Sequence, residues 1–515
     1  MGWKKKADEA LAKRDAAIPT AWRLTGTLPR NSTPLLMTSG IMDTVELAIV
    51  ELSATALAAA IASTQYTSVQ VATAYCKAGS IALQATNCLI EIFPDEAHER
   101  AEWLDAELER TGKTVGPLHG VPVSIKDHID VKGHDSPCGF LSLVGKMVAT
   151  EDAYMVSVLR AAGAVFYCKS TNPQSIMHLE TSGYYGVTVC PYNRDLTSGG
   201  SSGGEGALIG MKGSPLGVGT DIGGSVRSPA GACGIFSFKP TVGRIPYLGC
   251  QEPASPPGWD GIEGTHGPMA RHEDDLELYM RIILDSRPWL ADPSTQFRPW
   301  SPAPPLGRKL RIGILSEDGV VRPVTPIRRA LGWAVDKLRS SGQFDIVDYT
   351  PYDGARAWSL ISKLYWAADG GSTVYDNIKP SGEPVIPLTK WIIDEGGWGG
   401  KPAPTVKLVK CLAERDDFRL AFAHHWQDSG VDVVLSPVGP SPAPQHGTSK
   451  YWNYTSFWNL VDYPAAVFPT GLFCKESDKE DPEYKARNER EKYVLDTYDP
   501  SVSVGAPLCL QLIGR

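Results

Sequence analysis

Apolar residues along this chain recur with two different periods, and the switches between them predict its elements. In DEAHERAEWLDAELERTG (residues 95–112), Ala97, Ala101, Leu104 and Leu108 fall at helical spacing, and Gly112 follows as a C-cap. Most of residues 1–115 read as helical. The pattern then changes to alternation in HGVPVSIKD (119–127), which predicts a half-buried strand. On that alternation alone, Lys126 lies opposite Val121, Val123 and Ile125 and faces solvent. In DAYMVSVLRAAG (152–163), Met155, Val158, Leu159 and Ala162 share a helical face closed by Gly163, and AVFYCK (164–169) is the next strand. Strand, helix, strand at this spacing predicts a crossover in an α/β sheet.

The same order returns further on. LRIGILS (310–316) reads as a buried strand. TPIRRALGWAVDKLRSSG (325–342) reads as a helix with Thr325 as N-cap, Pro326 at its first turn and Gly342 past its end, and FDIVDY follows as a strand. The Pro-rich stretches QEPASPPGWDG (251–261) and RPWSPAPPLG (298–307) are too short for domain linkers and fit loops crossing one surface. No internal repeat is present.

Composition narrows the class. The 515 residues are 42% hydrophobic and 21% charged, which excludes disorder over most of the chain. The net charge of −8 carries no long run of either sign, and so argues against a nucleic-acid partner. The ten cysteines include no C-x-x-C pair, which speaks against a zinc ribbon or a redox pair. The opening MGWKKKADEA lacks the apolar core of a signal peptide, and no apolar run is long enough to span a bilayer. A cytoplasmic protein with free thiols is expected, with neither metal nor cofactor.

The richest stretch is GGSSGGEGALIGMKGSPLGVGTDIGGSVRSPAGACG, residues 199–234. A flexible linker would not carry EGALIG or SPLGVG. A phosphate loop would need G-K-[ST], and GVGTDIGG misses the dinucleotide spacing. A third reading remains, a frame for a nucleophile. Two glycines precede Ser225, and glycines let a backbone turn so that successive N–H groups converge on one point. Such a point stabilises negative charge beside a serine hydroxyl. A serine needs a base, yet His119, His128, His134, His424 and His425 form no recognisable triad or metal pattern with it.

These stretches, with GPLHGVPVSIKDHIDVKG (116–133), CKSTNPQ (168–174) and FSFKPT (236–241), resemble the amidase signature family, most nearly its fungal acetamidase-type members. Weaker likeness continues through DVVLSPVGPSPAPQHG and WNLVDYPAAVFPTG. The resemblance implies a serine hydrolase with a Ser–Ser–Lys triad: Ser225 as nucleophile, Ser201 as bridging serine after a cis Gly200–Ser201 bond, and Lys126 as base. It further implies Ile222, Gly223, Gly224 and Ser225 as oxyanion donors, with Asp221, Arg227 and Ser202 in support. Each residue also fits a plainer role. Ser201 and Ser202 fit turn serines, Asp221 a cap, Arg227 a surface ion pair and Cys233 a small core residue.

The expected fold is therefore α/β, a single domain over 1–515 with a large mixed sheet covered by helices on both faces. Residues 1–115 form its helical part, 116–250 the signature core, and 251–515 the rest. On the resemblance, GAPLCLQLIGR reads as a truncated end, where relatives continue with another helical segment. The expected reaction is cleavage of a small or medium amide to an acid and ammonia or an amine. Ile176, Met177 and YWNYTSFWNL (451–460) are candidates for an apolar acyl pocket, the aromatics fitting plain core packing at least as well. An amidotransferase-type subunit and a non-catalytic binding protein are the alternatives. A homodimer stays open.

Overall fold

In the computed structural model, which describes residues 2–515, the alternating stretch becomes strand β2, Pro122–Lys126. The segment after it folds as predicted: a helix over Tyr154–Ala161, a left-handed Gly163, then β3 over Val165–Ser170, parallel to β2. The first 115 residues are mostly helical, but they also hold strand β1, Leu89–Ile92, antiparallel to β3. Four residues between two long helices give too short a periodic signal to stand out in the sequence.

The remaining strands of the main sheet are β4 (Leu216–Asp221), β5 (Phe236–Lys239), β6 (Thr265–Ala270), β7 (Leu310–Ile314), β8 (Phe344–Asp348), β9 (Val433–Pro437), β10 (Ala465–Phe473) and β11 (Pro507–Ile513). Together they make one 11-stranded mixed sheet in the order β1-β3-β2-β4-β6-β5-β10-β11-β9-β7-β8. The parallel pairs lie towards its two ends, where helices provide crossovers; the centre is antiparallel. Every residue of β2, β3, β4 and β6 is buried. A strand buried throughout is covered on both faces. The expected α/β architecture is present.

This cover corrects the reading of β2 as half-buried with Lys126 in solvent. Its polar positions face inward as well. Ser124 donates a hydrogen bond of 2.5 Å to Glu205 on the helix Gly203–Gly210, which packs beneath the strand. The predicted N-cap of the helix Thr325–Ser341 also shifts by one residue. Thr325 is already helical, and its N–H and hydroxyl both donate to Glu480 from a distant loop. That carboxylate does what a local cap would otherwise do.

All ten cysteines are free. Among the described residues, no helix is long and apolar enough to cross a membrane, and no cluster of His, Cys, Asp or Glu is arranged to hold a metal.

Candidate active site

Lys126 ends β2, and Thr220 and Asp221 end the neighbouring parallel strand β4. Adjacent parallel strands therefore bring these residues, 94 positions apart, to one edge of the sheet. In open α/β sheets, ligands bind beyond the carboxyl ends of such strands. Here Lys126 Nζ lies within hydrogen-bond distance of Ser201 Oγ, at 2.6 Å, and of Thr220 Oγ1, at 2.9 Å. Lys126 is fully buried and Ser201 is 1% exposed. Burial penalises the charged ammonium and brings the Lys126 pKa down to about 7, although Cys250, Asp221 and Asp127 pull the other way.

Ser201 follows the cis Gly200–Ser201 bond, and the next helix, Gly203–Gly210, begins two residues on. The Ser202 N–H donates to the Ser225 carbonyl at 3.0 Å, so the two serine-bearing loops are joined through their backbones. Ser201 and Ser225 line the same cavity.

The loop carrying Ser225 is held from several sides. Asp221 accepts from the N–H groups of Gly224 (2.9 Å) and Val226 (3.1 Å), and from Arg227 Nε and Nη2, each at 3.0 Å. Asn459 binds both members of that pair, donating to Asp221 at 2.8 Å and accepting from Arg227 at 2.7 Å. Burial alone would raise the Asp221 pKa, but the charge and hydrogen bonds of Arg227, with Asn459, hold it far below the usual carboxylate range. Two hydroxyls tie the loop's carbonyls outward: Tyr365 donates to Ile222 O and Thr455 to Gly223 O, each at 2.8 Å.

No hydrogen bond among the described residues takes up the N–H groups of Ile222, Gly223 or Ser225. The N–H of Gly224 is engaged by Asp221. Gly224 instead shapes the turn, with φ at +128° and a space in which a Cβ would come within 2.2 Å of Thr455 Oγ1. The helix after the loop, Arg227–Cys233, begins two residues past Ser225.

Because Asp221 and Arg227 are both fully buried, removing one strands the other. Arg227→Met is expected to lower stability by about 3–5 kcal/mol, since an uncompensated buried carboxylate remains. Urea unfolding of the variant checks this. A loss under about 1 kcal/mol would mean that Asn459 and the loop N–H groups suffice to hold Asp221.

The cavity above these residues has a volume of about 280 Å³. Ile176 and Met177 reach it as expected. The stretch 451–460 does not line it; its rings pack in the core, with Tyr451 stacked on Trp358 at 5.2 Å and Phe457 edge-on to Phe422 at 5.1 Å. The aromatic lining is Tyr247, Trp259, Tyr365 and Trp366 instead. Part of it comes from the Pro-rich stretch 251–261, which folds over the site as a wall. Among the site's members, sequence reasoning finds no role for His128 and passes over Thr220. His128 stands only two residues from Lys126, but its link to Thr220 exists only in the folded chain.

A family model described as Amidase matches residues 70–515. A Schizosaccharomyces pombe protein carrying an amidase name is 45% identical, over 100% of this chain and 96% of that one. An Emericella nidulans acetamidase is 35% identical, over 100% and 95%. The solved structure of a fatty acid amide hydrolase superposes with a TM-score of 0.94 at 36% identity, covering 99% of this chain and 91% of that one. A chain whose full length matches amide-cleaving relatives in both sequence and shape belongs to the amidase signature family and is an amide hydrolase.

Proposed function

We propose that the enzyme cleaves small to medium carboxylic amides through an acyl-enzyme on Ser225. The observation that carries this reading is the buried contact of 2.6 Å between Lys126 Nζ and Ser201 Oγ, beside a cavity that Ser225 shares. Neutral Lys126 takes the hydroxyl proton of Ser201, which takes that of Ser225. Ser225 Oγ attacks the amide carbon, and the oxygen, now negative, meets the N–H groups of Ile222, Gly223 and Ser225. The C–N bond breaks as the proton returns through Ser201 to the leaving nitrogen. Water then attacks the ester along the same relay and releases the acid.

A volume of about 280 Å³ is near the lower end of the roughly 300–1,000 Å³ typical of ligand sites. It suits an acyl group larger than acetyl but not an extended lipid chain. Turnover of an amide panel, from acetamide through aryl amides to a long-chain amide, tests the assignment. The highest kcat/KM is expected in the middle of the series, with the matching acid as product. A preference for the long-chain amide would reject the size argument.

Residues 1–515 act as one domain, since the site draws on side chains from Lys126 to Asn459. Ten free cysteines favour a reducing, cytoplasmic setting. The net charge of −8 favours a small-molecule substrate over nucleic acid.

A further inference from the structure

The mechanism above uses no histidine, yet His128 is buried at its centre with both ring nitrogens engaged. Nδ1 lies 2.9 Å from the Gln251 carbonyl oxygen, and Nε2 lies 2.7 Å from Thr220 Oγ1. A carbonyl only accepts, so Nδ1 carries the hydrogen and Nε2 presents its lone pair. Thr220 must then aim its hydroxyl hydrogen at Nε2. Its oxygen lone pairs are left for Lys126, whose Nζ is 2.9 Å away.

A neutral lysine has two N–H hydrogens and one lone pair. With one hydrogen donated to Thr220, the lone pair is free for the Ser201 hydroxyl at 2.6 Å. We propose that His128 is a positioning residue for the base: by accepting the Thr220 hydroxyl hydrogen, it compels Thr220 to accept from Lys126 and so keeps the Lys126 lone pair directed at Ser201. The inference rests on the assignment of Lys126 as base.

The surroundings hold the ring in this orientation. The Gln251 N–H donates to the His128 carbonyl at 2.8 Å, and Ile129 bridges Cys250 in antiparallel fashion. Gln251 Nε2 donates to Asp130 at 2.6 Å, and Ser136 donates to the other Asp130 oxygen at 2.9 Å. The titratable groups facing Lys126 are Cys250, Asp221, Asp127 and Cys138, with Glu205, Glu252, His128 and His266 also within reach of its charge. Those facing His128 are Lys126, His266 and Lys169, with Cys250 Sγ at 3.4 Å from Nδ1. Tyr247 and Glu252 line the same cavity. Burial above all, with Lys126 next, keeps the imidazole neutral. It therefore acts as a fixed acceptor, not as a second titrating group.

His128→Leu removes that acceptor. The Thr220 hydroxyl can then donate into the Lys126 lone pair and compete with Ser201. The plateau of kcat/KM is expected to fall about tenfold or more. The pH limb is expected to move to lower pH, because a hydrogen bond to the neutral amine favours it over the ammonium. His128→Gln, whose amide oxygen can accept from Thr220, is expected to regain most of the loss. Adding Thr220→Val to His128→Leu removes the competing donor and is expected to bring no further loss.

The test is the pH profile of kcat/KM for wild type, these variants, Thr220→Val alone and Lys126→Ala, with a melting temperature for each. Three results would overturn the inference: an unaltered profile in His128→Leu, losses that multiply in the double variant, or a limb moved to higher pH, as a wetter site would give by relieving desolvation. If His128→Leu does not fold, a His128→Gln plateau as low as that of Thr220→Val would also overturn it. A fully active Lys126→Ala enzyme would overturn the base assignment and the inference together. An inactive, folded Lys126→Ala beside an unaltered His128→Leu would overturn the inference alone.

Discussion

Ser225→Ala is expected to lower kcat by on the order of 10³-fold or more while leaving the melting temperature near that of wild type. The side chain is small, and its hydroxyl makes none of the bonds that hold the loop. Those belong to Asp221, Arg227, Asn459, Thr455 and Tyr365. Removing the hydroxyl therefore takes away the attacking oxygen with little change in packing. A fluorophosphonate is expected to add once to the wild-type enzyme, on the peptide carrying Ser225, and not at all to Ser225→Ala. Ser201 lies deeper, on the far side of the relay and against Lys126. Peptide mass spectrometry reads the outcome. An adduct on Ser201, or an alanine variant that turns over amides at the wild-type rate, would remove Ser225 from its role.

The second large effect concerns Lys126. An exposed lysine has a pKa of about 10.4 and is almost wholly charged at neutral pH. Burial brings that of Lys126 down to about 7. The relay needs the neutral form, which is the deprotonated one, so kcat/KM is expected to rise with pH through about 7 and level off above it. Lys126→Ala is expected to lower the plateau by about 10²–10⁴-fold, the range for losing a general base. Lys126→Arg is expected not to restore it, because guanidinium stays protonated. A folded Lys126→Arg enzyme with the wild-type profile would rule Lys126 out as the base.

The sequence carried a good part of this site and little of what surrounds it. Ser225, Ser201 and Lys126 stand out as candidates because they lie in dense local patterns recognisable against a family, and the fold brings Lys126 to Ser201 and both serines to one cavity. The two parallel crossovers were legible from the period of their apolar residues. The environment of Lys126 was not: alternation predicts one wet face, and the packing of Glu205 against Ser124, with Ser201 and Thr220 against Lys126, turns that face into interior. The partners of the Ser225 loop were equally hidden. Tyr365, Thr455 and Asn459 reach it from 143, 232 and 238 residues away, and nothing in their local sequence announces the contact. The aromatic stretch 451–460 fits a substrate pocket and plain core packing alike in sequence; its rings pack in the core, and its Thr455 hydroxyl and Asn459 amide brace the loop.

The strand order has a consequence for how the molecule is made. β7, β8 and β9 join the rest of the sheet only through β11, which pairs with β9 on one side and β10 on the other. During synthesis on a ribosome, every member of the Ser–Ser–Lys set emerges in the first half of the chain. Asp221 and Arg227 emerge with the loop they hold, whereas Tyr365, Thr455 and Asn459 lie 143, 232 and 238 residues from their loop partners, and β11 comes after them. A nascent chain therefore holds the Ser225 loop by Asp221 and Arg227 alone until these distant partners have been made. Complete bracing of the loop and closure of the sheet are expected only once β11 has been made.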